Sequence, residues 1–353
     1  MKNLILPPAS FRTLYAFGNK QAIDLSLSEN PLGCSLEVIR VMKEITQIDC
    51  FDYPDPDSNL IRVDLAQRFK LSLKNFFISN GSESLIQLLP RVLMSKGEEA
   101  IVPVLTFPMF EKSVALAGGI VIQSPMTSDF SIDLIDIKEK ISKETKIIFL
   151  CNPNNPTGKL LAKKDILQLV KNTKAFVIVD EANIEFGGES VISEVANFDN
   201  LIVLRTFSKG FGLAGLRVGF CVANPQGVNL LQMIAQPFAV NKFAQKAVIA
   251  ALNDQVFMNK TRKFMVKERC FLTRELKKMS FEVVDSEANN LLVKVTPLFL
   301  SSNDFVEKLA DLNVSVVNGT AFPVLGNDFV RVSPRTRKIN KKFIEVISNI
   351  LNI

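Results

Sequence analysis

Between about residues 60 and 220, short apolar runs alternate with longer segments whose apolar positions recur every three to four residues. The runs NFFIS (75–79), AIVPV (100–104), KIIFLC (146–151), FVIVD (176–180), LIVLRT (201–206) and LRVGFC (216–221) predict strands. Several are apolar at consecutive positions, as in a sheet covered by helices on both faces. Between them ESLIQLLPRVLMS and KDILQLVKNTK carry a helical period, with Pro90 expected to interrupt the first. This alternation predicts an α/β domain around a largely parallel sheet. After NPQG (224–227) the texture changes: helical segments run to about residue 278. Strands FEVVDS, NNLLVKV and NDFVRVS follow, with helices between and after, which predicts a smaller α+β domain. The expected organisation is an N-terminal arm over 1–30, a large domain over 31–235 and a small domain over 236–353.

Composition narrows the chemistry. Histidine is absent, which excludes Ser-His-Asp and Cys-His catalysis and removes the commonest metal ligand. No metal site is expected, so proton transfer falls to lysine, carboxylate, tyrosine or a cofactor. The five cysteines are odd in number and have no C-x-x-C spacing, a pattern of reduced thiols in a cytoplasmic protein. MKNLILPPAS is too short in apolar residues for a signal peptide, and no run approaches membrane-spanning length. The net charge of +6 has one dense basic cluster, RTRKINKK at Arg335–Lys342, without interleaved aromatics. It reads as a solvated helix face, and no nucleic-acid partner is expected.

Each of the first five strands is followed by polar or glycine-rich residues: NGSES, TFPMF, NPNNPTG, EANIEF and FSKGFG. In an open α/β sheet ligands gather along that edge, so one crevice can hold Ser82, Asn155, Asp180, Ser208 and Lys209. The stretch TFSKGFGLAGLRVGF contains G-x-G-x-x-G, the mark of a dinucleotide turn. That reading fails here. Gly215 opens a strand pattern rather than a helix, and no acidic residue occurs between Asp199 and Asp254 to hold a ribose.

A cofactor with an aldehyde, a basic ring nitrogen and a phosphate fits better, and pyridoxal phosphate has all three. Lys209 ends a buried strand, where desolvation and nearby cations free its amine to condense with the aldehyde. Asp180 would pair with the ring nitrogen. The phosphate would lie at the helix start near Ser82, closed by Thr206, Ser208 and Arg217. The glycines would let backbone pass close to the cofactor.

YPDP, NPNNPTG, VDEA, SKGFGLAGLRVG and VRVS occur in the order and spacing of the class I/II aminotransferases. The chain resembles these fold-type-I pyridoxal phosphate enzymes over nearly its full length, and most closely their histidinol-phosphate aminotransferase branch. The resemblance implies that Lys209 binds the cofactor and carries protons, Asp180 pairs with the ring nitrogen and Asn155 bonds the ring hydroxyl. It implies further that Ser82, Glu83, Thr206, Ser208 and Arg217 hold the phosphate, that Phe107 stacks on the ring and that Arg331 grips the substrate carboxylate. Tyr53 would reach the phosphate of a neighbouring subunit, which implies a homodimer with shared sites.

Three positions depart from that pattern. Phe107 can stack on the ring but has no hydroxyl. Asn183 stands where the family usually has a tyrosine, and Val317 where histidinol-phosphate enzymes carry a phosphate-binding arginine. Arg335 is similar to a substrate-binding arginine of threonine-phosphate decarboxylases. The implied reaction is transamination between an amino acid, or histidinol phosphate, and a 2-oxo acid such as 2-oxoglutarate. A decarboxylase of the threonine-phosphate type is the rival within pyridoxal chemistry, and a nicotinamide oxidoreductase the rival outside it. Whether the substrate is phosphorylated stays open at this point.

Overall fold

The computed structural model describes residues 21–296 and 298–352, so residues 1–20 of the expected arm lie outside the described residues. A short strand, β1 (Ile23–Asp24), precedes the central sheet. That sheet comprises β2 (Phe76–Ser79), β3 (Glu99–Pro103), β4 (Ile120–Ser124), β5 (Thr145–Cys151), β6 (Phe176–Asp180), β7 (Leu201–Thr206) and β8 (Gly219–Val222). Their order is β2-β8-β7-β6-β5-β3-β4, and β8 alone runs antiparallel to its neighbours.

Both faces are covered, as the apolar runs predict. Successive residues of β5 enter different cores: Ile148 packs with Ile61, Leu65 and Phe76, and Phe149 packs with Leu85, Ile86 and Phe110. The strand period of two sends neighbours to opposite faces, so a run apolar throughout serves both layers.

Two expectations need correction, and one strand was not foreseen. Pro90 does not interrupt its helix, which runs unbroken over Ser82–Leu93. Pro90 is buried there beside Leu85, Ile86 and Leu89, so packing of that face outweighs the lost amide donor. The strand expected over 216–221 begins only at Gly219, because Ala214–Leu216 form a short 3-10 turn and Arg217 adopts φ +54°. Strand β4 had no counterpart in the sequence reading. It lies at the sheet edge, and Ile120 on it is exposed, so its short apolar run carries little signal.

The C-terminal part builds a second sheet. Its strands β9 (Glu282–Val283), β10 (Leu291–Lys294), β12 (Val317–Asn318) and β13 (Phe329–Val332) lie in the order β12-β13-β10-β9, all antiparallel. The intervening β11 (Val314–Ser315) pairs in parallel with β1 instead. Leu25, just after β1, is fully buried with Phe271, Leu272, Phe305 and Phe343 of the surrounding helices. The start of the described chain is thus packed into the C-terminal core. Among the described residues no helix is long and apolar enough to cross a membrane.

Candidate active site

Strands β2, β3, β5, β6 and β7 run in parallel, so their carboxyl ends share one edge. Asp180 ends β6, opposite Cys151 of β5 and Leu204 of β7. Three residues past the end of β7, Lys209 sits half-buried in a turn closed by Gly212 N–H on its own carbonyl, 3.0 Å.

The two ionisable groups are displaced in opposite senses. Burial, helped by the neighbouring Glu181 charge, pushes the Asp180 carboxyl up to about 7, against the Ala182 N–H bond and the Lys209 charge. Burial lowers the Lys209 amine to about 8, with the Arg331 and Arg217 guanidinium groups adding to the effect and Glu29 and Asp180 opposing it. A buried acid and a half-buried amine whose values are drawn towards each other are suited to passing protons.

Beside this pair lies a cradle rich in donors. Gly81 (φ +79°) leads into the helix Ser82–Leu93, whose first amide groups have no partner within the helix. A Cβ on Gly219 would collide with Ser82 N, and one on Gly81 would come 2.9 Å from Arg217 Nη2. Glycine at 219 lets β8 pass against the backbone that starts the helix, and glycine at 81 suits the positive φ beside the guanidinium. Arg217 donates to Ser208 Oγ at 3.3 Å, so the helix start, arginine and serine form one group able to take a doubly charged phosphate. Glu83 lies half-buried in the first turn of that helix. Thr206 Oγ1 accepts from Ser208 N (3.1 Å) and donates to Val218 O (3.4 Å), bracing the turn.

On the other side Arg331 of β13 is 7% exposed, and its Nη1 donates to Asn155 Oδ1 at 2.8 Å. Its Nη2 donates to Ser26 O at 2.9 Å. Arg335 pairs with Glu29 at 3.1 Å beside a cavity of about 430 Å³ that Glu29, Asn30, Ser208 and Arg335 help to line. A larger cleft of about 940 Å³ lies between Gly158–Leu160 and the helix residues Arg269–Lys278 and contains none of these groups. Phe107 is half-buried and meets Phe110 edge to face at 5.9 Å.

The residues present fit pyridoxal phosphate. The buried Asn183 Oδ1 has no hydrogen-bond partner among the described residues, and turning its amide would offer an equally buried donor. An acidic strand end, an amine, an unsatisfied buried amide and an anion cradle are the counterparts of ring nitrogen, aldehyde, ring oxygen and phosphate. Among the described residues no three His, Cys, Asp or Glu side chains are placed to hold a metal.

Tyr53 stands apart. It is 80% exposed and packs at a tilt against Phe238, with ring centroids 4.8 Å apart. The glycines of the lysine loop meet protein neighbours that the sequence does not reveal. A Cβ on Gly210 would lie 2.7 Å from Glu185 Cβ, one on Gly212 (φ +73°) would strike Gly33 O, and Gly215 meets nothing. The first two admit protein neighbours. Residues that the sequence reading passed over include Glu29, Asn30, Glu181, Glu185 and Arg205. Arg205 had a visible signal, a charge inside the otherwise apolar run of LIVLRT.

Residues 20–347 match the family model "Aminotransferase class I and II". The chain is 32% identical over 345 residues to the histidinol-phosphate aminotransferase of Methanococcus aeolicus, covering 96% of this chain and 92% of that protein. The solved histidinol-phosphate aminotransferase from Clostridium acetobutylicum is similar at a TM-score of 0.87 and 26% identity, covering 94% of this chain and 99% of that one. The enzyme of that name from Sinorhizobium meliloti, solved with pyridoxal-5'-phosphate, has the same fold at a TM-score of 0.87 and 22% identity, with 99% and 96% covered.

Proposed function

This chain belongs to the class I and II aminotransferases and is a pyridoxal phosphate-dependent aminotransferase; from that premise we propose that it moves an amino group between histidinol phosphate and a 2-oxo acid such as 2-oxoglutarate. The observation that carries the reading is the meeting of Lys209, Asp180 and the Arg331–Asn155 pair at one sheet edge. The full-length likeness to relatives named histidinol-phosphate aminotransferase supports the choice of substrate.

Bound here, pyridoxal phosphate supplies an aldehyde for the amino group and a ring that delocalises the electrons left when a Cα proton departs. We assign the ring nitrogen to Asp180, the ring oxygen to Asn155 and Asn183, and the ring face to Phe107. The phosphate falls to Ser82, Glu83, Thr206, Ser208 and Arg217. Lys209, with its amine near 8, takes the proton from substrate Cα and returns it on the other side of the reaction.

Arg331 receives the substrate anion. Its planar fork matches a carboxylate or a phosphate equally, so it can take the carboxylate of glutamate and the phosphate of histidinol phosphate in turn. Val317 pairs with Arg331 across β12 and β13 and is buried with Leu105 and Phe322, so position 317 supplies no cation. Arg335, four residues beyond Arg331, is the second cation assigned to the substrate.

A homodimer completes this reading. Phe51, Tyr53, Met233, Ile234 and Phe238 are apolar and exposed, as residues awaiting a partner surface are. Tyr53 would then reach the cofactor phosphate of the second subunit. We place the protein in the cytoplasm, in keeping with its five unpaired cysteines.

The test is direct. Protein loaded with pyridoxal phosphate is incubated with histidinol phosphate and 2-oxoglutarate, and glutamate is measured. Glutamate formation is expected. Turnover of other amino acids but not histidinol phosphate would remove the substrate assignment, and carbon dioxide release without consumption of 2-oxoglutarate would remove transamination itself.

A further inference from the structure

Every residue of β7 is buried, and Arg205 is its only charge. Its Nη1 donates to Glu181 Oε2 at 3.1 Å, and its Nη2 pairs with Glu185 Oε1. Glu181 has no exposed surface, and its carboxylate is satisfied further by Val191 N–H at 2.8 Å and Ser190 Oγ at 2.6 Å. Two carboxylates and one guanidinium are expensive to bury, and such a cluster persists only when its members hold one another.

The cluster touches both halves of the active site. Glu181 follows Asp180 directly, and its charge opposes ionisation of that neighbour. Glu185 lies beneath the lysine loop: Gly210, next to Lys209, leaves no room for a Cβ against the Glu185 side chain. Asn30 fastens the same glycine from the other side, donating to its carbonyl at 2.9 Å. Arg262 of the helix Gln255–Lys278 donates to Glu185 O at 3.0 Å, and its charge and that of Arg68 also face the cluster.

We propose that Arg205 is a positioning residue for aminotransfer: by clamping Glu181 and Glu185 it fixes the lysine loop against the acidic strand end and offsets the Glu181 charge beside Asp180. Arg205 touches neither substrate nor cofactor in this scheme. It acts through the two glutamates, and the proposal rests on the assignment of Asp180 and Lys209 to the cofactor.

Both substitutions remove the Glu181 charge. In Glu181→Gln it is gone outright; in Arg205→Met the buried Glu181 carboxyl, already raised by burial, loses the guanidinium that lowers it and takes up a proton. Asp180 then ionises at lower pH in both. The readout is the affinity for pyridoxal phosphate across about pH 5 to 9, which rises as Asp180 becomes an anion able to pair with the ring nitrogen. The lower midpoint of that rise should move down in both variants. Arg205→Met also releases Glu185 and the lysine loop above it, so its Kd on the plateau above the midpoint should be roughly tenfold weaker than wild type, whereas Glu181→Gln keeps the Arg205–Glu185 pair and a plateau Kd near wild type.

Folded variants that keep the wild-type midpoint, or an Arg205→Met whose plateau Kd equals that of Glu181→Gln, would overturn the proposal and reduce the cluster to a structural ion pair. Should Arg205→Met yield no soluble chain, Arg205→Gln takes its place and is read the same way. Wild-type protein that takes up no pyridoxal phosphate would sink the functional reading as well, and that outcome is seen before any variant is made.

Discussion

Arg331 Nη1 and Asn155 Oδ1 are 2.8 Å apart, which joins a strand of the C-terminal sheet to the loop after β5. The contact, with the bond to Ser26 O, holds the guanidinium in one orientation against that loop. The same loop is tied to the C-terminal part at two further points, by Glu287 N–H to Gly158 O at 2.8 Å and by Asn290 Nδ2 to Pro156 O.

Arg331→Lys therefore tests geometry at constant charge. A lysine cannot bond Asn155 and Ser26 while presenting a planar fork to an anion. Steady-state kinetics should show kcat/KM lowered by roughly 10²-fold for both substrates, a loss of about 2.7 kcal/mol in transition-state binding. Cofactor affinity should change far less. A variant with wild-type kcat/KM would remove Arg331 from substrate binding.

Asp180 makes a prediction about pH. Its carboxyl lies at about 7 in the fold against an ordinary value of 3.8, chiefly through burial. Between those values the folded chain keeps a proton that the unfolded chain has lost. Stability therefore falls as pH rises through that window, by on the order of 4 kcal/mol from this group. Asparagine has no proton to lose. Cofactor-free Asp180→Asn should melt several degrees above wild type at about pH 8 and close to it at about pH 4, while binding pyridoxal phosphate more weakly. Scanning calorimetry at both pH values checks the sign; a constant offset between the two proteins would contradict it.

Lys209 contributes in the opposite sense at higher pH. Its amine is lowered from 10.5 to about 8, so the unfolded chain holds the extra proton between those values, and stability recovers as pH rises through them. Lys209→Met should flatten the cofactor-free stability curve above about pH 8 and reduce turnover on the order of 10⁴-fold. Retained turnover would end its role as proton carrier.

Gly212→Ala should be the most disruptive single methyl in the lysine loop. The residue has φ +73°, and its Cβ would strike Gly33 O and lie 3.1 Å from Cys34 Cα, all backbone atoms. The loop must shift or the chain must unfold, with a loss of several kcal/mol expected. Gly215→Ala, which meets nothing within 4 Å, is the control and should melt within about one degree of wild type.

Tyr53→Ala tests the shared site. If subunits exchange this residue, cofactor dissociation on dilution should quicken by about tenfold while the Tm of the subunit hardly moves, since the ring is already solvent-exposed. A monomeric protein with unchanged retention would refute both the dimer and the role of Tyr53.

The strand ends were legible because buried strands are marked by continuous apolar runs, and FVIVD and LIVLRT coincide with β6 and β7 residue for residue. With those ends fixed, the convergence of Asp180 and Lys209 followed from parallel pairing. What stayed hidden depends on packing between distant segments. Nothing local marks Glu185 as the floor of the lysine loop, Asn30 as its tether or β8 as an antiparallel strand inserted between β2 and β7. The exposed edge strand β4 lacks the burial that makes a run conspicuous. The motif around Lys209 pointed to its glycines but not to the collisions with Glu185 and Gly33 that two of them avoid, because those are a property of the folded chain.

Among the described residues strand β2 pairs only with β8, which is made far later in the chain. During synthesis on the ribosome, the segment carrying the phosphate-cradle helix must wait with an unpaired edge until residues near Gly219 emerge. Before then β3, β5, β6 and β7 can already associate in parallel. The order of synthesis thus lets the strands ending at Asp180 and Thr206 pair before the segment around Ser82 has its partner, and it leaves the β2 edge open to mispairing for longest.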